Sequence, residues 1–288
     1  MSVQAVCPVC GGAMAGPHQG WRLDCAQCGF LAAAVTPVVD HASAAVALDE
    51  ADRELGLESL RRRNFEEVLD RLEALGKAPR PELLDVGCAH GWFLDAALRR
   101  GYSVRGLEPD RRIGALAAGK GHAVTCGLFP DDLPAGETFD VISFHDVLEH
   151  LPEPDRAVDA CHARLRDDGF LVVNLPSSRG VFFRVSALLD RAGVHGPNER
   201  MWQKGFPSPH LSYFHPEGLS RLVTRHGFRE VYRGTLPSID RRGLWKRLRY
   251  DQTSSVAASV LVWTGVTLAS PLLGVLPADI SLQIFKKV

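Results

Sequence analysis

The spacing of hydrophobic residues changes along the chain, and its first clear repeat is helical. Between residues 60 and 75, apolar side chains recur at helical intervals, at Leu60, Phe65, Val68, Leu69, Leu72 and Leu75. Gly76 follows this run and Pro79 lies just beyond it, which is a common way for a helix to end. The pattern predicts an amphipathic helix that stops before residue 77.

From Pro81 onward, short apolar runs alternate with helical segments. The runs predict strands at Leu83–Val86, Ser103–Leu107, Ala123–Cys126, Asp140–Phe144 and Phe170–Asn174. The intervening spacing predicts helices at Trp92–Arg100, Arg111–Lys120 and Pro154–Arg166. Such alternation is typical of right-handed βαβ crossovers, so the pattern predicts an α/β domain with a parallel, doubly wound sheet.

The remainder of the chain is less regular. After Pro176 the sequence predicts an irregular segment at 177–209, a helix at Pro216–His226, and strands at Phe228–Tyr232 and Ile280–Phe285. The Ala- and Val-rich stretch Leu31–Leu48 predicts no structure. We therefore divide the chain into a cysteine-rich module at 1–30, a linker and helical lead-in at 31–59, and an α/β domain at 60–288 with insertions at 177–209 and 240–278.

Composition and charge are those of an ordinary globular protein. Of the 288 residues, 45% are hydrophobic and 23% are charged, and 33 Lys and Arg against 34 Asp and Glu give a net charge of -1. A nonspecific nucleic-acid binder normally has a basic excess, so nucleic acid is not favoured as a partner. The N-terminus lacks a charged segment followed by an apolar core, so we expect a cytoplasmic protein.

Four of the seven cysteines form two Cys-x-x-Cys pairs, which lie 14 residues apart: Cys7 with Cys10, and Cys25 with Cys28. Two such pairs can supply the four thiolates of a tetrahedral Zn²⁺ site, and four protein ligands leave no open position for catalysis. The spacing predicts a structural zinc ribbon. The scattered Cys88, Cys126 and Cys161 are more typical of small core residues than of metal ligands.

A glycine-rich turn follows the first strand of the α/β domain. The segment Leu83–Gly91 reads LLDVGCAHG, with small residues at 87, 89 and 91 that allow a tight turn and close approach to a ligand. Glu108 ends the next strand, 21 residues after Gly87, where a carboxylate can accept both hydroxyls of a ribose. The arrangement predicts a nucleoside-containing ligand at the start of the following helix.

This segment resembles motif I of the class I S-adenosylmethionine-dependent methyltransferases, D-x-G-x-G-x-G, with Ala89 in place of the middle glycine. The Glu-ended strand, 139–144, 148–151 and 168–173 follow in the family's order. The resemblance implies a seven-stranded, Rossmann-like sheet with the last strand antiparallel. It also implies S-adenosylmethionine as cofactor, with Gly87, Ala89 and Gly91 beside its methionine, Glu108 on its ribose and Leu128 by its adenine. The whole set of expected cofactor residues is Asp85, Gly87, Cys88, Ala89, Gly91, Glu108, Pro109, Leu128 and His145. Nicotinamide-dependent dehydrogenases are the competing class, but the chain has no Tyr-x-x-x-Lys pair for proton transfer.

An acidic, histidine-containing segment begins where the fourth strand ends. On a helix, Asp146, Glu149 and His150 would share one face, and His210 could complete a site for Mg²⁺ or Mn²⁺. The pattern resembles the metal-binding helix of 2′-O-methyltransferases acting on small RNAs and the related segment of ubiquinone-biosynthesis O-methyltransferases. Two alternatives remain: His150 or His210 acts as a general base without metal, or the segment only caps loops and pairs charges.

The insertion at 240–278 combines charge with a long apolar stretch. Five basic residues surround Trp245 between Arg241 and Arg249, and no charged residue occurs from Gln252 to Ala278. Pro271, Gly274 and the final strand argue against a membrane span, because the strand must return to the sheet. The segment predicts peripheral contact with an anionic membrane, with ordinary solvated charge or packing on the domain as alternatives.

Together these features predict a methyltransferase that acts on oxygen of a small-molecule, quinone-like, lipid-linked or glycan acceptor. One alternative is an RNA methyltransferase that docks its substrate through the zinc ribbon, against which the near-neutral charge counts. A second alternative is a non-catalytic protein of the same fold that uses the ribbon as a docking module.

Overall fold

A computed structural model describes residues 6–16, 20–35, 50–76, 80–239, 244–249, 255–273 and 276–288. Its strands are β1 Arg22–Asp24, β2 Leu31–Ala33, β3 Glu82–Val86, β4 Ser103–Glu108, β5 Ala123–Cys126, β6 Phe139–His145, β7 Leu165–Pro176, β8 Ser212–Tyr213, β9 Phe228–Leu236 and β10 Ile280–Lys287. Its α-helices are α1 Glu50–Ala74, α2 Trp92–Arg99, α3 Arg111–Gly119, α4 Pro154–Arg164, α5 Val181–Arg191, α6 Gly196–Met201, α7 Pro216–Thr224, α8 Leu244–Arg249 and α9 Val256–Leu273. A 3₁₀ helix spans Leu148–His150.

Seven strands form the central sheet in the order β5-β4-β3-β6-β7-β10-β9. Strands β3 to β7 pair in parallel, whereas β10 is antiparallel to both β7 and β9. This arrangement confirms the seven-stranded, Rossmann-like fold expected from the sequence. The strand order reverses between β3 and β6, and ligands of open α/β sheets bind at the carboxyl ends of strands at such a reversal.

The sheet is covered on both faces, which explains why its strands are almost continuously apolar. Neighbouring residues of β7 point to opposite sides: Val172 belongs to one buried cluster with Leu83 and Ile284, and Val173 to another with Phe144. All five of these side chains are nearly inaccessible to solvent. Helix α1 packs on α2, as its predicted apolar stripe requires.

Two expectations for the connecting segments are wrong. The 177–209 segment, expected to be irregular, contains α5 and α6. The apolar residues of α5 do not form one buried stripe, because Val185 and Leu188 are exposed while Phe183 is buried, and this obscured the helical repeat in the sequence. The 31–48 stretch, expected to have no structure, begins with β2; its residues from 36 onward lie outside the described part of the chain. Strand β2 joins β1 and β8 in a second, three-stranded sheet, a pairing that no local sequence signal reveals.

The insertion before β10 is described only in part, as α8 and α9. Helix α8 contacts both α1 and α9, and the chain then returns to the central sheet as β10, between β7 and β9. Among the helices that the structure describes, none combines the length and hydrophobicity that crossing a bilayer requires. The basic residues Arg241 and Arg242 lie outside the described residues.

Candidate active site

The glycine-rich turn links β3 to α2 through three residues with left-handed backbone. Gly87, Ala89 and Gly91 have φ angles of 70°, 46° and 73°. A Cβ on Gly87 would lie 2.5 Å from Cγ2 of Val147, and a Cβ on Gly91 would lie 2.9 Å from the Cβ of Ala117. Both positions therefore need glycine for space as well as for conformation. Position 89 is alanine, which has the smallest side chain after glycine.

Glu108 lies against this turn, at the end of β4. One carboxylate oxygen accepts a hydrogen bond from the amide of Ala89 at 3.0 Å, and the other accepts one from the amide of Asp110 at 3.0 Å. Asp110 in turn caps the N-terminus of α3. The carboxylate that the family resemblance assigns to the ribose is thus held by backbone at the mouth of the turn. A nucleoside fits this combination of a fixed carboxylate and a turn without bulky side chains.

Beneath the turn lies a buried polar network. The carboxyl of Asp85, 2% exposed, accepts a hydrogen bond from Oγ of Ser143 at 2.8 Å. Burial raises the pKa of Asp85 to about 7, an effect that the Ser143 hydrogen bond opposes and the charge of Glu108 increases. Burial lowers the pKa of His145 to about 4, so its ring is neutral, and Nδ1 pairs with the side-chain oxygen of Asn174.

The other expected cofactor residues surround the turn at different depths. Cys88 is buried beneath it, and burial raises the pKa of its thiol above the usual range. Pro109 is exposed, and Leu128, 59% exposed, lies in the loop after β5, where its amide donates to Asp132. The side chain of Leu128 is therefore accessible to a ligand at this edge of the site.

The expectation that Asp146, Glu149 and His150 share one helical face is wrong. Asp146 has a φ of 54°, in the left-handed region, and only the single 3₁₀ turn Leu148–His150 follows. The chain therefore bends away at the end of β6 before any helix begins. Asp146 instead forms an ion pair with Arg61 of α1, at 2.8 Å between Oδ2 and Nη2.

Glu149, His150 and His210 do converge. One potential ligand atom from each lies within 4.8 Å of the others. Glu149 is 1% exposed, and among the described residues neither carboxylate oxygen has a hydrogen-bond partner. Burial, reinforced by the charge of Asp146, raises the pKa of Glu149 well above its ordinary value. A buried carboxyl without partners is costly, and a bound cation would relieve that cost.

The two imidazole rings lie 4.7 Å apart. Nδ1 of His150 donates to the carbonyl oxygen of Pro209 at 2.9 Å, and in the neutral ring this bond leaves Nε2 unprotonated. The hydroxyl of Tyr213 donates to the carbonyl of Met201, so it accepts from Nδ1 of His210, and Nε2 of His210 accepts from the side-chain amide nitrogen of Gln203. Burial and the neighbouring His150 lower the pKa of His210 well below its ordinary value.

Backbone hydrogen bonds bring His210 to this position. The amide of Leu211 donates to the carbonyl of Glu149 at 2.8 Å, and the amide of His210 donates to that of Trp202 at 3.0 Å. Arg61 and Asn174, which hold Asp146 between them, escaped the sequence analysis. Arg61 looks like an ordinary surface charge of α1, and Asn174 like any polar residue at a strand end, so neither carries a local signal.

The four paired cysteines form a compact cluster in the N-terminal module. Sγ of Cys7 lies 3.5 Å from that of Cys28, and Sγ of Cys10 lies 3.5 Å from that of Cys25. All four sulfur atoms lie within 4.8 Å of one another. Four thiolates at Zn–S bonds of about 2.3 Å would be roughly 3.8 Å apart in a tetrahedron. The cluster fits a zinc ion, as expected.

Comparisons with known proteins identify the family of the domain that carries this site. The profile of a family described as a methyltransferase domain matches residues 58–232. The ubiquinone biosynthesis O-methyltransferase of Rhizobium etli is 32% identical over 111 residues, which cover 34% of this chain and 43% of that protein. That of Actinobacillus pleuropneumoniae is 34% identical over 103 residues, or 31% of this chain and 43% of that protein. The chain thus spans less than half the length of these curated relatives.

Solved structures share the fold. A methyltransferase dependent on S-adenosylmethionine from Archaeoglobus fulgidus superposes with a TM-score of 0.51 at 20% identity, covering 80% of this chain and 97% of that one. The cyclopropane synthase MmaA2 of Mycobacterium tuberculosis gives a TM-score of 0.55 at 18% identity, with 77% and 83% covered. Because the family profile matches more than half of the chain, this protein belongs to the methyltransferase domain family, within the class I S-adenosylmethionine-dependent methyltransferases.

Proposed function

We propose that this protein transfers the methyl group of S-adenosylmethionine to an oxygen atom of a small-molecule acceptor, of the quinone-like, lipid-linked or glycan class. The observation that carries the proposal is the convergence of Glu149, His150 and His210 beside the glycine-rich turn. Val147 connects the two, because it lies against Gly87 and precedes Glu149 by two residues. The names of the curated relatives support oxygen as the acceptor atom.

The cofactor supplies an electrophilic methyl group when it is bound. In this proposal, Gly87, Ala89 and Gly91 let its methionine portion approach the backbone, Glu108 accepts the ribose hydroxyls, and Leu128 covers the adenine. Transfer forms an oxygen–methyl bond and breaks the sulfonium–methyl bond, so S-adenosylhomocysteine leaves. The hydroxyl proton of the acceptor must be removed, and without a bound cation an unprotonated Nε2, such as that of His150, is suited to accept it.

We also propose that Glu149, His150 and His210 hold Mg²⁺ or Mn²⁺. The unpartnered oxygens of Glu149 and the bond from Nδ1 of His150 to the carbonyl of Pro209 support this, because ligating histidines usually donate their second nitrogen to a carbonyl or similar acceptor. His210 would contribute Nε2 by exchanging its hydrogen bond with the side chain of Gln203 for the cation. Such a cation would lower the pKa of an acceptor hydroxyl. The alternative, a metal-free base, predicts activity that survives chelation and falls as the pH drops through the imidazole range.

A methyl-transfer assay with labelled S-adenosylmethionine tests the proposal against phenolic, lipid-linked, glycan and RNA acceptors. Glu108→Ala should weaken cofactor binding at least about tenfold by calorimetry, since the charge-assisted hydrogen bonds to the ribose are lost. Glu67→Ala, at a half-exposed position of α1, is the matched control and should change nothing. Equal binding by both variants, or methylation of RNA alone, would contradict the proposal.

The proposed Mg²⁺ or Mn²⁺ site is tested with a carboxylate chelator, at a concentration that leaves the zinc content unchanged by elemental analysis. Turnover should stop and return on addition of Mn²⁺ or Mg²⁺, while the affinity for S-adenosylmethionine stays the same. Purified protein should carry one zinc ion per chain, and Cys28→Ser should release it. Turnover that persists through chelation would leave the imidazoles acting as bases.

For localisation, we propose a cytoplasmic protein that touches an anionic membrane through the 240–278 insertion. The exposure of Leu261 and Leu268, each 75%, supports this on helix α9, where no residue is charged. A large apolar surface in water is unfavourable and commonly marks a binding face. Such contact would place the active site near lipid-linked acceptors.

A further inference from the structure

The N-terminal cysteine module, which in the structure includes β2 and thus extends to residue 35, is joined to the active-site side of the methyltransferase domain by strand pairing. Strand β2 pairs with β8, with Leu31 opposite Tyr213 and Ala32 opposite Ser212. The amide of Ala33 then donates to the carbonyl of Leu211 at 2.9 Å. Strand β8 has only two residues, too few to hold its position without a partner.

Side chains close the same interface. The rings of Phe30 and Phe214 lie 5.0 Å apart, and Trp21 meets Trp202 edge to face at 5.6 Å. These aromatic pairs bury large apolar areas on both sides of the interface. Cys7 belongs to the same buried cluster as Phe214, so the core of the module is continuous with that of the domain.

Polar contacts fix both cysteine turns. Nε2 of His215 donates to the carbonyl oxygen of Cys28 at 2.5 Å, which lies in the second turn. The guanidinium of Arg225 donates to the carbonyl oxygens of Pro8 and Val9, between Cys7 and Cys10. Both cysteine turns therefore bond directly to the residues that flank α7, His215 before it and Arg225 after it.

Leu211 connects the module to the acidic and imidazole groups. Its carbonyl accepts from Ala33 of the module, and its amide donates to the carbonyl of Glu149. His210 lies between Trp202, which packs on Trp21, and Tyr213, which pairs with Leu31. The contacts of His210 with Trp202 and Tyr213 are thus one step from the module, and its remaining described contacts are with Gln203 and His150.

We propose that the zinc module is a positioning element of the acceptor side of the active site. Its zinc-held fold presents β2 to β8 and thereby fixes His210 against Glu149 and His150. Small cysteine modules without their metal are commonly unfolded, so loss of zinc releases β8 and His210 together. The strand pairing and aromatic contacts described for this interface involve β2 and β8 and not the cofactor turn, which lies between β3 and α2. The role given to His210 rests on the proposed function, whereas the coupling itself does not.

Hydrogen exchange on the full chain tests this coupling without any assay of methyl transfer. On removal of zinc, amides of residues 201–215 should exchange at least about tenfold faster, because β8 loses its partner strand. Amides of β3 and β6 should keep their protection, and the affinity for S-adenosylmethionine should change less than about twofold, since the two sites are uncoupled. Unchanged exchange at 201–215 after zinc loss would overturn the proposal.

A second variant separates the interface from the metal. Ala33→Pro removes the amide that donates to Leu211 but leaves the four cysteines intact. The matched control is Ala34→Pro, whose lost amide donates to Trp21 within the module. Both variants should retain one zinc per chain, and only Ala33→Pro should speed exchange at 201–215 and lower turnover at saturating cofactor. Equal behaviour of the two variants contradicts the proposal, even if zinc-free protein unfolds throughout.

Discussion

At the scale of single residues, space and backbone conformation together determine the cofactor turn. Gly87 and Gly101 both have left-handed backbone, at φ angles of 70° and 84°, but only Gly87 faces a neighbour. Gly101 has no atom within 4 Å of the position where a Cβ would be. A substitution there therefore measures the free-energy cost of backbone strain alone, without that of a steric contact.

Replacing each glycine with alanine should separate these two costs. Both variants should lose about 1–2 kcal/mol of unfolding free energy from backbone strain, measured by urea denaturation. Only Gly87→Ala should also displace Val147, and its affinity for S-adenosylmethionine should fall at least about tenfold by calorimetry. Equal cofactor affinity in Gly87→Ala and Gly101→Ala would show that the contact with Val147 does not shape the site.

Asp85 should make stability depend on pH. Its pKa is raised from 3.8 to about 7 in the folded chain, so the fold favours the neutral carboxyl. This contribution to stability is therefore fully present below the unfolded pKa and is lost as the pH rises through about 7. Asn at position 85 stays neutral at every pH and can still accept the hydrogen bond from Ser143.

Asp85→Asn should consequently gain stability relative to the wild type as pH increases. Between about pH 5 and about pH 8 the difference in unfolding free energy should grow by on the order of 3 kcal/mol, at about 1.4 kcal/mol per pKa unit. Urea denaturation of both proteins at the two pH values measures it, and other titrating groups cancel in the comparison. A constant difference across this range would mean that Asp85 is ionised in the fold.

At the scale of elements, the sequence predicts those whose signal is local. Strands β3 to β6 and the turn to α2 follow from apolar runs and glycines, and Glu108 follows from its place at a strand end. The pairing of β2 with β8 does not, because Ala32 and Ser212 are far apart in the chain and neither run is long enough to be read as a strand. Strands β2 and β8 form because they pair with each other across a long separation in sequence.

The segment after β6 shows how spacing alone can mislead. Asp146, Glu149 and His150 have helical spacing, but spacing carries no information on backbone conformation at the first of them. The left-handed φ of Asp146 turns it towards Arg61 and leaves Glu149 in the buried cluster. His210 reaches that cluster through tertiary hydrogen bonds that the sequence does not encode locally.

This corrected geometry predicts different roles for the two carboxylates. Glu149→Gln should weaken Mn²⁺ binding by about a hundredfold or more, because a ligand oxygen and a charge are lost at the metal. Asp146→Asn should change it by less than about threefold, since the carboxylate of Asp146 pairs with Arg61 and lies outside the cluster. Electron paramagnetic resonance of Mn²⁺ measures both. A comparable loss of Mn²⁺ affinity in both variants would show that Asp146 is also a ligand of the proposed metal site.

At the scale of the whole molecule, exposed apolar side chains concentrate on two helices. Val185 and Leu188 of α5 are 50% and 66% exposed, and Leu261 and Leu268 of α9 are each 75% exposed. The first residue of α5 also contacts the end of the insertion, where the amide of Val181 donates to the carbonyl of Pro277. The sequence before α9 is rich in basic residues around Trp245, and apolar helices beside basic segments are typical of the interfacial membrane contact that we propose.

Vesicle binding tests that contact. The protein should sediment with vesicles containing phosphatidylglycerol and much less with pure phosphatidylcholine, and added salt should release it, because basic side chains attract the anionic surface. Replacing both Leu261 and Leu268 with Glu should reduce binding at least about tenfold, since apolar area is lost and negative charge is gained. Leu98→Glu, at a position of α2 that is 53% exposed, is the control and should leave binding unchanged. If the control reduces binding as much as the double variant, or if no vesicle retains the wild type, then α9 does not contact the membrane and its apolar face has another partner.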